Sequence, residues 1–141
     1  APHALSEKLV DKICDIRPGI PGFETALPLM LTAAFRRRIS LSKLVDMMCR
    51  KPAEILGLRD RGLLARGSRA DLELVDASER FRVNSSRFLS KAKYSPFDGI
   101  EVVGRVKAVF VRGTLAFEDG EVLVKKGFGE VVEPRRQELR R

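Results

Sequence analysis

Histidine is nearly absent: His3 is the only one in 141 residues, and no HxH, HExxH or CxxC pattern occurs. A catalytic zinc centre typically takes about three protein ligands drawn from His, Cys, Asp and Glu in a tight constellation. This chain alone therefore cannot build an ordinary catalytic zinc site. Cysteine is scarce too. Cys14 and Cys49 lie far apart without metal spacing, and read as two free thiols, one in a loop and one on a helix. With one Tyr and no Trp, base-stacking platforms are poorly supplied. No apolar run reaches the roughly 18 residues of a membrane span. Ala1 to Val10 lacks a basic stretch followed by an apolar one, so it does not read as a secretory leader. A cytoplasmic protein without a membrane partner is expected.

The charge is one-sided, +8 overall, but the basic clusters are short. Arg36-Arg37-Arg38 reads as a helix C-terminus, where cations suit the macrodipole. Arg135, Arg136, Arg140 and Arg141 sit in a tail. The surplus reads as a solvated basic surface and not as a nucleic-acid interface.

Hydrophobic residues make up 44% of the chain, enough for a packed core. Residues 1–23 read as a loop punctuated by Pro2, Pro18, Gly19, Pro21 and Gly22, with a short helical turn between Ser6 and Cys14. The spacing of Leu27, Leu31, Ala34 and Phe35 predicts a helix over 24–38, with Thr25 as its cap and Pro28 near its first turn. Ser40 caps a second helix over Leu41 to Cys49. Lys51-Pro52 opens a short third helix that Gly57 closes. Past Leu58 the pattern changes to strands: Asp71 to Asp76, Phe81 to Asn84, Val102 to Arg112, Thr114 to Glu118 and Glu121 to Val124. The last two flank Asp119-Gly120, a strong hairpin signal. Lys125 onward is Gly-rich and then charged, ending in a helix or a disordered tail from Pro134 to Arg141. Helices followed by strands suggest two structural units. Neither looks self-sufficient.

Two stretches are specific. Ala1-Pro2-His3, followed by Pro18-Gly19-Ile20-Pro21-Gly22-Phe23-Glu24-Thr25, resembles the dihydroorotase family, in which an Asp-His-Ala-Pro-His motif ends the eighth barrel strand and a Pro-Gly-x-x-Gly-x-Glu-Thr segment opens the last barrel helix. Lys51-Pro52-Ala53-Glu54-Ile55-Leu56-Gly57-Leu58 and Gly67-Ser68-Arg69-Ala70-Asp71-Leu72 resemble the exit from an amidohydrolase barrel. Ser90 to Gly99 and Gly104-Arg105-Val106 are again similar to dihydroorotases and to cyclic amidohydrolases more widely. The resemblance implies an α/β fold: the C-terminal part of a (β/α)8 TIM-like barrel plus part of a small β-sandwich. Residues 1–58 would be the loop after strand eight and the last barrel helices, 59–133 the C-terminal part of the sandwich, and 134–141 a tail.

The implied reaction is the zinc-dependent, reversible cyclisation of N-carbamoyl-L-aspartate to dihydroorotate in pyrimidine biosynthesis. The zinc ligands and the catalytic Asp of that family would lie upstream of Ala1, so neither a catalytic nor a metal-binding residue is assigned here, and the partner this chain needs is an N-terminal segment of the same enzyme. By resemblance, His3 binds the substrate carboxylate, and the backbone at Pro18 and Gly19 closes over the same group. Pro18-Gly19 also reads as a turn that starts a helix, and His3 as an ordinary loop residue. Glu24 reads as structural at its helix N-terminus, as does Asp71 at a sheet edge. Lys91 and Lys93 read as structural or solvated. Further partners left open are a second copy of the enzyme and aspartate transcarbamoylase. Two alternatives stand beside this reading: an allantoinase- or hydantoinase-like cyclic amidohydrolase, and a non-catalytic dihydroorotase homologue that scaffolds aspartate transcarbamoylase. Intact-mass spectrometry of the denatured protein is expected to reveal a larger companion polypeptide or a single longer chain; a lone 15.8 kDa species would contradict the expectation.

Overall fold

The computed structural model describes residues 3–133; Ala1, Pro2 and the expected helix or tail over Pro134 to Arg141 lie outside the described residues. The chain is mixed α/β. Helix α1 spans Ala26–Phe35, and a second helical run comprises α2 (Leu41–Val45), a π-helical turn (Asp46–Arg50) and α3 (Lys51–Ile55). Strands β1 (Leu72–Arg82), β2 (Glu101–Val111), β3 (Thr114–Glu118) and β4 (Glu121–Val122) hydrogen-bond in that order in one sheet. No helix among the described residues is long and apolar enough to cross a membrane. Two compact units are each assembled from separated stretches: Ala1–Arg36 with Ala77–Arg105, and Arg37–Asp76 with Val106–Arg141.

The first unit is organised by α1. Its core is Val83, Phe88 and Val102, with Leu29, Phe81 and Phe97 packed against it. Buried Thr32 supplies a polar link. Its hydroxyl donates to the Pro28 carbonyl at 2.7 Å and accepts the Val103 N–H at 2.9 Å. One residue on, Gly104 adopts φ +100°, and a Cβ there would lie 3.0 Å from the Leu31 Cβ and closer still to its Cδ1. Gly104 thus meets two demands at once, a left-handed backbone and room for the Leu31 side chain.

Helix α1 is shorter than its apolar spacing predicts. Arg37 takes φ +56°, so the chain leaves the helix there, and no basic residue stands in the last helical turn. The arginine triplet begins at the C-cap, Arg36, and so marks the helix C-terminus as expected. No Gly or Asn marks the stop, so residue type gives no signal for the left-handed turn at Arg37.

The second unit holds the rest of the helical chain. The Ser40 hydroxyl accepts the Lys43 N–H at 3.1 Å, a cap in the expected place. The two helices expected over Leu41 to Cys49 and from Lys51 are one continuous run. Pro52 lacks an N–H, and its ring would collide with the carbonyl four residues back in a regular α-helix. The backbone widens ahead of it instead: the Lys51 N–H reaches the Asp46 carbonyl, five residues back, and the proline is accommodated without a break. Gly57 closes the run as expected, with Gly57 N–H on the Glu54 carbonyl (3.1 Å) and Leu58 N–H on the Ala53 carbonyl (2.8 Å), a Schellman pair.

The sheet follows its predicted segments with one merger. The expected strands Asp71 to Asp76 and Phe81 to Asn84 are joined as β1, which runs on through Ala77, Ser78, Glu79 and Arg80 although they carry no apolar alternation. Strands β2 and β3 are antiparallel, with a bulge between Val109 and Phe110. They turn through Arg112-Gly113, both at positive φ, and Asp71 Oδ1 accepts the Arg112 N–H at 2.8 Å. Asp119-Gly120 turns β3 into β4 as predicted, although β4 ends at Val122. Cys14 and Cys49 are free thiols, one in a 3₁₀ turn of the loop and one in the π-helical turn.

Gly104→Ala is expected to destabilise the complete protein by about 2–4 kcal/mol, since it adds both overpacking and backbone strain. Denaturant unfolding measures this; an unchanged midpoint would mean that α1 does not approach β2 this closely.

Candidate functional site

The stretch before α1 contains the three residues predicted to meet substrate. Two 3₁₀ turns shape it, Leu5–Glu7 and Ile13–Asp15. His3 precedes the first turn, half-exposed, with Nδ1 2.8 Å from Glu7 Oε2. An ionised carboxylate only accepts, so Nδ1 is the donor, and Nε2 has no protein partner among the described residues. The His3 hydrogen bond, with a second from the Ala4 backbone, holds the Glu7 carboxyl below the usual range, and the Lys91 ammonium at 3.6 Å acts in the same direction.

Lys8 follows Glu7 and ties the far end of the loop to this turn. Its ammonium donates to the Arg17 carbonyl and the Gly19 carbonyl, each at 2.5 Å, and lies 5.9 Å from the centre of the Tyr94 ring. Pro18 sits between the two anchored residues and has no N–H to offer. Gly19 holds φ +86° in open space, with nothing within 4 Å of where a Cβ would be. Its N–H has no protein acceptor among the described residues. His3 and the Pro18-Gly19 turn are thus linked through consecutive residues, Glu7 and Lys8. Arg17 takes part through its carbonyl.

The loop meets α1 at Gly22, whose carbonyl accepts the N–H groups of Thr25 (3.1 Å) and Ala26 (2.8 Å). Thr25 is buried and forms no side-chain cap; its hydroxyl makes only a long 3.4 Å contact to the Gly22 carbonyl. Glu24 is structural in a way its sequence position does not reveal. One carboxylate oxygen accepts the Leu89 N–H at 3.1 Å and the other the Ser90 N–H at 2.9 Å. It staples the 89–90 segment to the entrance of α1. Asp98 does similar work nearby: Ser85 donates both its N–H and its hydroxyl to that carboxylate and lowers its pKa. Lys93 donates to the Phe88 carbonyl.

In the second unit, Asp71 is equally committed. Besides the Arg112 N–H, it pairs with Arg61 at 3.2 Å. Arg69 and Arg112 both reach Glu130, at 3.3 and 3.5 Å. Arg61, Arg69 and Arg112 are thus each matched by a carboxylate. Among the described residues no three His, Cys, Asp or Glu side chains converge as metal ligands, so these residues do not fit a zinc centre.

Residues 20–116 match the model of the amidohydrolase family. The chain belongs to that family. Among its curated relatives are an L-hydantoinase of Paenarthrobacter aurescens, 47% identical over 85% of this chain and 27% of that protein, and a dihydroorotase of Methanothermobacter thermautotrophicus, 42% identical over 90% of this chain and 29% of that protein. Among solved structures, a D-hydantoinase (dihydropyrimidinase) from Thermus sp. superposes with a TM-score of 0.87 at 32% identity, over 94% of this chain and 30% of that one. This amidohydrolase chain therefore spans under a third of the length of these relatives.

Sequence reasoning missed Lys8 and the partners of Glu24. Both bind main-chain atoms, which no residue pattern marks. In Glu24→Ala, the Leu89 and Ser90 amides are expected to exchange with solvent on the order of tenfold faster, as local opening becomes easier. Glu24→Gln, with one acceptor oxygen, should protect only one of them; unchanged exchange at both would remove Glu24 as the staple.

Proposed function

We propose that this chain is the C-terminal segment of a dihydroorotase, interconverting N-carbamoyl-L-aspartate and dihydroorotate as part of a complete cytoplasmic enzyme. In this reading residues 1–58 provide the loop after barrel strand eight and the last barrel helices, and 59–133 part of the β-sandwich. The catalytic carboxylate and the ligands of a zinc cofactor belong to the N-terminal segment, where the metal would polarise the carbonyl under attack. Any association with a second copy or with aspartate transcarbamoylase is a property of that complete enzyme.

The observation that carries the reading is the pair of donors on the loop. Among the described residues, His3 has one ring nitrogen engaged by Glu7 and the other without a protein partner, and Gly19 has an N–H without a protein acceptor. With Nδ1–H given to Glu7, a neutral ring leaves Nε2 an acceptor; only the doubly protonated ring donates a second hydrogen bond to an anion. Together they provide for a carboxylate, the group that both proposed substrates carry and that an unsubstituted hydantoin lacks. Binding that group anchors one end of the substrate while the cyclic amide C–N bond is made or broken elsewhere.

The L-hydantoinase relative favours a second reading, hydrolysis of hydantoin rings. Assays of the complete enzyme on dihydroorotate, N-carbamoyl-L-aspartate and a hydantoin separate the two; turnover of the hydantoin alone would favour the second. His3→Ala is expected to lower kcat/KM for N-carbamoyl-L-aspartate by about 10- to 150-fold, the value of a charged hydrogen bond. Bound zinc should stay the same; its loss would show that His3 is a metal ligand and not a substrate contact.

A further inference from the structure

The loop carries a feature that a substrate-contact reading leaves unused, the ammonium of Lys8. It is half-buried and holds two main-chain carbonyls, those of Arg17 and Gly19. The Arg17 carbonyl belongs to the peptide before Pro18, and the Gly19 carbonyl to the peptide after Gly19. Between them lies the Pro18–Gly19 peptide, which bears the Gly19 N–H. Each peptide is planar, so only the torsions at Pro18 and Gly19 can reorient the middle one. The proline ring locks φ at residue 18. The remaining torsions include those of a glycine at φ +86° with no neighbour within 4 Å of its Cβ position, so no side-chain packing restrains residue 19. The two carbonyl anchors supply the restraint that packing does not.

We propose that Lys8 is a positioning residue for substrate binding: by pinning the peptides on both sides of Pro18–Gly19, it aims the Gly19 N–H at the substrate carboxylate. This inference rests on the dihydroorotase reading. Glu7 ties the same turn to His3, so neighbouring residues set both donors. Ordering the loop before substrate arrives removes an entropic cost from binding. It leaves the reacting bond untouched, so the effect belongs in KM.

The test is Lys8→Met in the complete, zinc-loaded enzyme, which keeps most of the stem and removes the donors. KM for N-carbamoyl-L-aspartate is expected to rise about tenfold or more, equivalent to one lost charged contact, with kcat within about threefold. Zinc content should not change, and the Gly19 amide should exchange on the order of tenfold faster. Lys8→Arg, able to reach both carbonyls, should return KM to within about threefold of the parent. Should Lys8→Met not accumulate, Lys8→Gln, whose amide is uncharged and one bond shorter than the lysine ammonium, is expected to raise KM by about threefold or more. KM unchanged in whichever donor-reduced variant is tested, or a fall in kcat accompanied by zinc loss, overturns the proposal. Failure of the functional reading looks different: the parent enzyme would turn over neither dihydroorotate nor N-carbamoyl-L-aspartate. The amide-exchange comparison then decides the brace by itself, and unchanged exchange at Gly19 in Lys8→Met rejects it.

Discussion

The approach of α1 to β2 is the constraint on which the first unit depends. At Gly104 there is no room for a side chain beside Leu31, and at Val103 the backbone N–H is taken by the Thr32 hydroxyl. An apolar contact would hold the helix at many rotations. A hydrogen bond from one hydroxyl to one buried N–H, next to a position that tolerates only glycine, selects one. Because α1 is held there, its N-terminal end is held as well, and Glu24 can reach the Leu89 and Ser90 amides.

From that anchored end the chain runs back into a loop with few apolar contacts. Leu9, Ile13, Ile20 and Phe23 are all largely exposed. Its order comes from polar contacts within the loop: Lys8 on two carbonyls, His3 on Glu7, and the Gly22 carbonyl at the helix entrance. Such an arrangement suits a binding segment. Apolar packing would hide the donor groups, whereas anchoring through neighbouring main-chain oxygens keeps them presented. The same logic accounts for the carboxylates elsewhere. Glu24, Asp71 and Asp98 each accept main-chain N–H groups, so none of them is a spare acid awaiting a reaction.

Local chemistry was legible wherever residue type dictates the backbone. Ser40 caps its helix, Gly57 closes the next, and Asp119-Gly120 makes its hairpin turn. Apolar spacing located α1 and β2 to within a few residues. It failed where the backbone obeys something other than side-chain pattern. The polar stretch 77–80 stays in β1 although no apolar alternation marks it, since strand hydrogen bonds use main-chain groups that every residue but proline carries. Arg37 and Arg112 occupy left-handed conformations that their residue type does not favour. Pro52 reads as a helix start, yet the helix absorbs it by widening one turn ahead of it.

The sequence by itself determined the family, through motif stretches that need no geometry to be recognised, and most element positions, through periodicity and turn residues. It also named His3, Pro18 and Gly19 as the residues to watch. Only the tertiary structure decided how they are held. Lys8 and Glu24 act on carbonyls and amides nine or more residues away in the chain, and those groups are chemically identical at nearly every residue. Which of them a side chain meets depends on the path of the folded chain, so three-dimensional proximity had to supply what residue identity could not.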